Sequence, residues 1–197
     1  MGIVLSSFST SLDGFIADPS GDVGPLFEWY SNGDVEVKPA GYDITFRMTE
    51  ASARYWHETV TDREGAFVCG RGIFDYTRGW GGVPPGGVPT FVVTHRPPPA
   101  DWPPIPEAPF TFVGDLPTAM ELARAAAGDR DIGVAGPDLV QQCLNAGYID
   151  EVRIDLVPVL LREGIRYFDN LEDRVFLEDP RIVEGKRVTH LRYRVRR

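Results

Sequence analysis

The sequence predicts an α/β protein with a mostly parallel sheet and an antiparallel end. Three observations carry this. Short apolar runs of strand length alternate with helical segments from Thr49 to Leu161, the pattern of crossover units that build parallel sheets. Glycine or proline marks most of the junctions, as turns and helix ends require. The final stretch, "RVFLEDPRIVEGKRVTHLRYRVRR", alternates apolar and polar residues with no helical period, as antiparallel strands at a sheet edge do.

The elements follow in order. Ile3 to Phe8 reads as a buried first strand. "SLDGFIADPSGDVG" comes next, broken by Gly14, Pro19, Gly21 and Gly24, and reads as a loop or a short hairpin-like excursion. "FEWYSNGDVEVKPAGYD" is polar and irregular. Thr49 is a suitable N-cap for a helix from Glu50 to about Val60, with Ala51, Tyr55 and Val60 near one face. Ala66 to Cys69 is a second strand, and a short helix starts near Arg71 and ends before Gly79. After the Gly/Pro loop "GWGGVPPGGVP" comes a third strand, "TFVVTHR", then a proline-rich extended connection from Pro97 to Pro109. "FTFVG" is a fourth strand. Pro117 to Ala127 is an alanine-rich helix with proline in its first turn and Gly128 as its stop. "DIGVAG" is a fifth strand; Pro137 opens the helix Asp138 to Asn145, which Gly147 terminates. "EVRIDLVPVLL" is a sixth strand. No internal repeat or long linker divides the chain, so residues 1–197 are expected to form a single domain.

Composition narrows the function classes. A chain of 197 residues with 43% hydrophobic and 25% charged content is that of a soluble globular domain. The net charge of -9 argues against general binding to nucleic acid or anionic membranes, but a small anion needs only a local basic cluster. Cys69 and Cys143 sit in apolar runs with no zinc spacing and read as buried thiols. No apolar run approaches the ~20 residues that span a bilayer, and the N-terminus lacks a secretory pattern, so a cytoplasmic location is expected. His57 and His190 have no companions at metal-ligand spacing, and no metal site is expected. Hydrolase and nucleotide-triphosphatase motifs (G-x-S-x-G, H-E-x-x-H, Walker A) are absent, as is the H-x-E with P-C-x-x-C deaminase signature.

Ligands of open α/β sheets gather beyond the carboxyl ends of the strands. Three strand ends stand out here: Gly70-Arg71-Gly72, Thr94-His95-Arg96, and Ala135-Gly136-Pro137-Asp138. Glycine allows close backbone approach to an anion, a helix N-terminus offers unpaired N–H groups, and Arg71, His95 and Arg96 supply cationic donors. Each element has an ordinary reading as a turn, a solvated surface or a helix start. Three together in one α/β chain favour a phosphate-bearing ligand.

The stretches "SLDGFIADPSGD", "FVCGRGIFD", "FVVTHRPP", "VAGPDLVQQCLNAGYIDEVRIDLVPVLLREGIRYF" and "VTHLRYRV" run in order from Ser11 to Val195. Through them the chain resembles the dihydrofolate reductase-like superfamily. It is most similar to the reductase domain of the bifunctional riboflavin-biosynthesis deaminase-reductases and their stand-alone relatives. The resemblance implies a three-layer fold, an NADPH cofactor and a small heterocyclic substrate of pterin or aminopyrimidine type, such as 5-amino-6-(5-phosphoribosylamino)uracil. It places cofactor phosphates at Gly70, Arg71, Gly72 and Ile73, the adenosine 2'-phosphate side at Thr94, His95 and Arg96, and the pyrophosphate at Ala135, Gly136, Pro137, Asp138 and Leu139. The loop of Leu12, Asp13, Gly14 and Ile16 would cover nicotinamide and substrate. The sequence departs from the family pattern at three places: Gly72 replaces a basic residue, Pro137-Asp138 removes one amide donor and adds a negative charge at the pyrophosphate turn, and Arg162-Glu163-Gly164 replaces a glycine run.

Asp13 is the leading polar contact for a substrate; its alternative role is an Asx-type turn before Gly14. Glu50 falls roughly where dihydrofolate reductases place their pterin-binding acid; its alternative is a first-turn helix charge. A homodimer is expected, because the alternating Val188, Leu191, Tyr193 and Val195 suit a paired sheet edge and the resemblance points the same way. Beside the reductase stand two other readings: a nucleotide-binding module that kept the fold without turnover, and an interaction protein built on a dimer face.

Overall fold

A computed structural model describes residues 2–39, 44–61 and 63–196. Its centre is an eight-stranded sheet of β1 (Val4–Ser11), β5 (Glu64–Gly70), β6 (Thr90–Val93), β7 (Phe110–Val113), β8 (Asp131–Ala135), β9 (Glu151–Val157), β11 (Arg181–Gly185) and β12 (Val188–Arg194), in the spatial order β11-β12-β9-β1-β8-β5-β6-β7. From β9 to β7 every neighbouring pair is parallel; β12 on β9 and β11 on β12 are antiparallel. This is the predicted architecture, a parallel sheet with an antiparallel C-terminal edge.

Side-chain alternation divides the core between two faces. Ala66 and Val68 of β5 and Ile132 and Val134 of β8 point to one face, where they meet α3 (Leu116–Ala127) and α4 (Pro137–Asn145). Phe67 and Cys69 point to the other, against Phe74 of α2 (Arg71–Tyr76). On that second face a separate cluster of Leu26, Trp29, Val37, Met48 and Ala53 packs under α1 (Glu50–Trp56). Two helical layers thus sandwich the sheet. Both cysteines are buried, and desolvation pushes each thiol up to about 12.

Local chemistry explains the helix starts. Thr49 accepts a hydrogen bond from the Ser52 N–H, and Asp115 from the Thr118 N–H, satisfying donors that every helix leaves open. The helix predicted from Glu50 to Val60 is α-helical only to Trp56 and continues over His57–Thr61 in a π-helical turn; the side chain of Val60 lies outside the described residues. The stretch read as irregular contains a 3-10 helix, Gly24–Ser31, and a hairpin of β3 (Val35–Val37) and β4 (Phe46–Met48). Residues 40–43 lie outside the described part. The excursion after β1 contains β2 (Phe15–Ala17), which pairs with β10 (Ile165–Arg166).

The C-terminal apolar residues are used differently from the expectation. Val188 is buried in the cluster beneath α1, and Tyr193 and Val195 pack on the main core. The antiparallel edge of the sheet belongs to β11, where Ile182 is 56% exposed.

Candidate functional site at the carboxyl edge of the sheet

Because β9, β1, β8, β5, β6 and β7 are parallel, their carboxyl ends share one edge. The register puts Cys69 beside Ala135 and Gly70 beside Val93, so the three singled-out strand ends lie on adjacent strands at one level. Gly136 has φ of 100°, a conformation that favours glycine. A Cβ there would sit 3.4 Å from the Gly70 nitrogen and 3.9 Å from Cγ2 of Ile73, while one at Gly70 would approach Cβ of Leu139 at 3.8 Å. The two turns therefore pack directly on each other. Among the described residues, nothing stands within 4 Å of a Cβ placed on Gly72.

The helices that start at these turns differ from the others. α1 and α3 are capped by their own side chains; α2 and α4 begin at Gly70 and Gly136 with no side-chain cap. Proline contributes no N–H, so the α4 donors facing outward are the amides of Asp138 and Leu139. Asp138 is exposed and Leu139 is buried in the core. Two uncapped N-termini side by side give a concentrated positive end.

The cations stand on the same edge. Nε of Arg71 is 2.6 Å from Oδ1 of Asp75, and Nη2 of Arg96 is 3.0 Å from Oδ2 of the same carboxylate. Arg71 also donates to the Pro97 carbonyl at 2.8 Å. Asp75 thus gathers Arg71 and Arg96 from β5–α2 and the β6 loop. The sequence reading missed Asp75, although its position four residues after Arg71 is an ion-pair spacing. Thr94 accepts the Arg96 N–H through Oγ1 at 3.0 Å. His95 is exposed, close enough to Asp115 to help lower that carboxyl, although the Thr118 hydrogen bonds act more strongly.

Farther along the edge, the loop after β1 is clasped to the segment after β9. Asp13 accepts from Oγ of Ser11 at 2.6 Å and from the N–H groups of Leu161 and Arg162 at 3.1 and 2.7 Å. The Ser11 hydrogen bond and then these backbone bonds lower its carboxyl, although desolvation opposes them. Asp13 is therefore an ionised clasp. Gly14, with φ of 90°, shapes the turn, Leu12 is 62% exposed above it, and Ile16 is buried in the main core. Glu50 is exposed in the first turn of α1. The loop residues and the three strand ends share the edge; Glu50 stands on the helical layer beside it.

Ser7 adds what the sequence did not reveal. It is exposed although it lies mid-way along β1, a strand flanked on both sides. Ser9 faces the α1 layer, where it accepts from Nε1 of Trp29 at 3.0 Å, and strand alternation turns Ser7 to the same side. The sheet surface is therefore open at Ser7, on the face that carries α1 and α2. Only the sheet order, not any residue pattern, makes an exposed serine there informative.

One arrangement on this face mimics a hydrolase. Nδ1 of His190 is 2.7 Å from Asp155 and Nε2 is 3.0 Å from Oγ of Ser52. His190 is fully buried, Ser52 is 1% exposed, and a Cβ on Gly185 would fall 2.5 Å from the serine oxygen. No substrate reaches that hydroxyl; the triplet ties α1 to β9 and β12. Among the described residues no group of His, Cys, Asp and Glu side chains has the geometry of a metal site, and no helix is long and apolar enough to cross a membrane.

Comparison with known proteins gives the same architecture. A putative riboflavin biosynthesis protein from Shewanella sp. PV-4 superposes with a TM-score of 0.66 at 22% identity, covering 99% of both chains. RibD of Acinetobacter baumannii gives 0.60 at 16% identity; the whole of this chain matches 58% of that one. The riboflavin biosynthesis reductase Rib7 of Saccharomyces cerevisiae gives 0.59 at 13% identity, covering 99% of this chain and 90% of that one. At these identities the likeness is one of fold. No curated protein matches in sequence. The family model of the RibD C-terminal domain, however, matches residues 3–191, nearly the whole chain and every strand end described above. The chain belongs to the RibD C-terminal domain family.

Proposed function

We propose that the protein is an NADPH-dependent reductase of a small heterocyclic metabolite of the riboflavin-precursor type. The observation that carries this reading is the pair of uncapped, glycine-started helices at adjacent strand ends, with two arginines gathered on the same edge. That donor set fits the phosphates of a pyridine dinucleotide: amides of Gly72, Asp138 and Leu139 for the pyrophosphate, and guanidinium groups of Arg71 and Arg96 for a 2'-phosphate. Family membership and the riboflavin biosynthesis reductase Rib7 among the structural neighbours support the same activity.

When bound, the nicotinamide ring supplies the hydride. The chain supplies position and exclusion of water. Exposed Ser7 offers a polar point on the sheet surface for a planar substrate, and the Asp13 clasp fixes the loop that borders the edge. Asp13 is held ionised by its hydrogen bonds, so it is not placed to donate a proton, and Glu50 stands exposed on α1; water completes the protonation. Protein and NADPH are titrated by cofactor fluorescence, and oxidation is then followed at 340 nm with pterin and aminopyrimidine substrates. Turnover supports the reductase. Pro137 and Asp138 favour a second reading, a binding module without turnover; tight binding with no oxidation across the panel selects it. Absence of NADPH binding overturns both.

A further inference from the structure

A cleft of about 1040 Å³ lies away from the carboxyl edge. It opens at the opposite edge, against the starts of β1, β8 and β9, the end of β12 and the C-terminus of α3. Arg63, Arg124, Arg130, Arg181, Arg192 and Arg194 line it. These are six of only 20 basic residues in a chain of net charge -9. The acids of the cleft are Glu58, Asp131, Asp150, Glu151 and Glu178, and most already have partners. Asp131, 1% exposed, takes Arg63 through Nε and Nη2 at 2.9 and 3.3 Å and the Ile3 N–H at 3.0 Å. Glu151, 6% exposed, takes Arg153 at 2.6 Å and Arg192 through two bonds of 3.1 Å. Glu58 takes Arg181 at 2.7 Å, and Asp150 accepts the Val4 N–H at 2.9 Å.

Those pairs do not use up the arginines. A guanidinium has five N–H donors; Arg63 and Arg192 each give two to the carboxylates named. Arg124 lies 5.3 Å over the Tyr148 ring, Arg130 donates to the Glu64 carbonyl, and neither they nor Arg194 forms a salt bridge among the described residues. The buried carboxylates thus act as anchors that orient part of the arginine set, while Arg124, at the end of α3, Arg130, before β8, and Arg194, at the end of β12, add guanidinium groups around the cleft that none of the carboxylates named above holds. Oriented guanidinium groups with spare donors recognise compact anions, and the volume suits a small molecule.

We infer that this amino-edge cleft is a second binding site, for a small polyanion bearing two or more phosphate or carboxylate groups, independent of the carboxyl-edge site. The probe is inorganic pyrophosphate, titrated calorimetrically into the intact protein. Wild type is expected to bind saturably, more weakly as salt rises. Arg124 and Arg194 are exposed and bridge no buried acid, so the double variant R124A/R194A folds and is expected to bind about tenfold or more weakly. The variant R71A/R96A, at the other edge, is expected to retain this binding. No saturable binding by wild type at millimolar pyrophosphate overturns the inference. So does loss in R71A/R96A with none in R124A/R194A, which puts the anion at the carboxyl edge. A change of molecular mass in R124A/R194A without a change in affinity assigns the cleft to contact between copies and overturns it as well.

Discussion

Replacing Asp75 by asparagine tests whether Arg71 and Arg96 await a phosphate. Asp75 holds Nε of Arg71 at 2.6 Å and Nη2 of Arg96 at 3.0 Å, and so occupies the anion position between two cations that converge from different strands. An incoming 2'-phosphate must share those cations with a carboxylate. At ~5 Å, two unit charges repel by about 3 kcal/mol at an effective dielectric of 20 and by about 1 kcal/mol in water. The Asp75 side chain is 39% exposed and that of Arg96 62%, so solvent and salt move the value toward the lower figure. Asp75→Asn keeps the shape and an acceptor oxygen, and Arg71 keeps its bond to the Pro97 carbonyl. The variant should therefore bind NADPH about 5- to 20-fold more tightly, a gain of roughly 1–2 kcal/mol, and NADH with little change. Fluorescence titration of both cofactors measures this, and thermal unfolding checks that the fold survives. Equal tightening for both cofactors would place the arginines away from the 2'-phosphate. Weaker NADPH binding would refute the competition argument outright, since Asp75 would then be aligning the arginines for the ligand.

At the neighbouring turn, Gly136→Val forces a β-branched residue into φ of 100° and adds bulk beside the Gly70 nitrogen; NADPH binding should be abolished, while Asp138→Asn should tighten it by removing a like charge. Unchanged affinity in both variants would remove the cofactor from this turn. Glu64 gives a pH signature. Desolvation, with a smaller push from Asp131 and against Arg153, raises its carboxyl from 4.5 to about 7. The folded state therefore holds a proton that the unfolded state releases, so this contribution is full below pH ~4.5 and is lost as pH rises to ~7, by at most about 3 kcal/mol. Melting temperatures between pH 5 and 7.5 should fall less steeply for Glu64→Gln than for wild type; parallel curves would show that the carboxyl titrates normally. The exposed Ile182 on the edge strand β11 predicts a dimer that Ile182→Glu dissociates, and a monomer mass for wild type at high concentration by light scattering would exclude it. Asp13→Ala frees the N–H groups of Leu161 and Arg162 and should raise KM for substrate more than it lowers kcat; loss of a pH-rate limb instead would show that Asp13 carries a catalytic proton.

How much of this was legible in the sequence follows from the range of each interaction. The parallel sheet was readable because strand, turn and helix signals are local: Thr49 caps its own helix, Gly128 ends α3, and Pro137 opens α4. The same locality made the three strand ends visible. What was not readable depends on partners far along the chain. The hairpin of β3 and β4 has three-residue strands without a tight-turn signal between them, and β2 gains its identity from β10, about 150 residues away in sequence. The residues named for a paired edge, Val188, Leu191, Tyr193 and Val195, lie on or just beyond β12, one strand in from the edge: alternation shows that a strand has two faces, but only the sheet order shows that β11 covers β12.

The same division of range explains why glycine turns suited to phosphate are easier to read than a surface built from separate strands. A phosphate is met by backbone amides and glycines, and such turns leave a contiguous mark: Gly70-Arg71-Gly72 and Gly136-Pro137 are each visible within a few letters. A substrate is met by side chains collected from separate strands. Ser7 has no distinguishing neighbour; it matters because Ser9 two residues on turns toward Trp29, fixing the face, and because β1 stands between β8 and β9, where exposure is unexpected. Asp13 shows the limit from the other side. Its type and position invited a role at the substrate, yet hydrogen bonds from Leu161 and Arg162 occupy its carboxylate. One of those donors, Arg162, belongs to the Arg162-Glu163-Gly164 stretch, where the family resemblance leads one to expect a glycine run. A carboxylate that closes a loop onto that segment makes the position of the loop after β1 depend on residues 161 and 162, so a change there moves the edge of the sheet without touching the glycine turns.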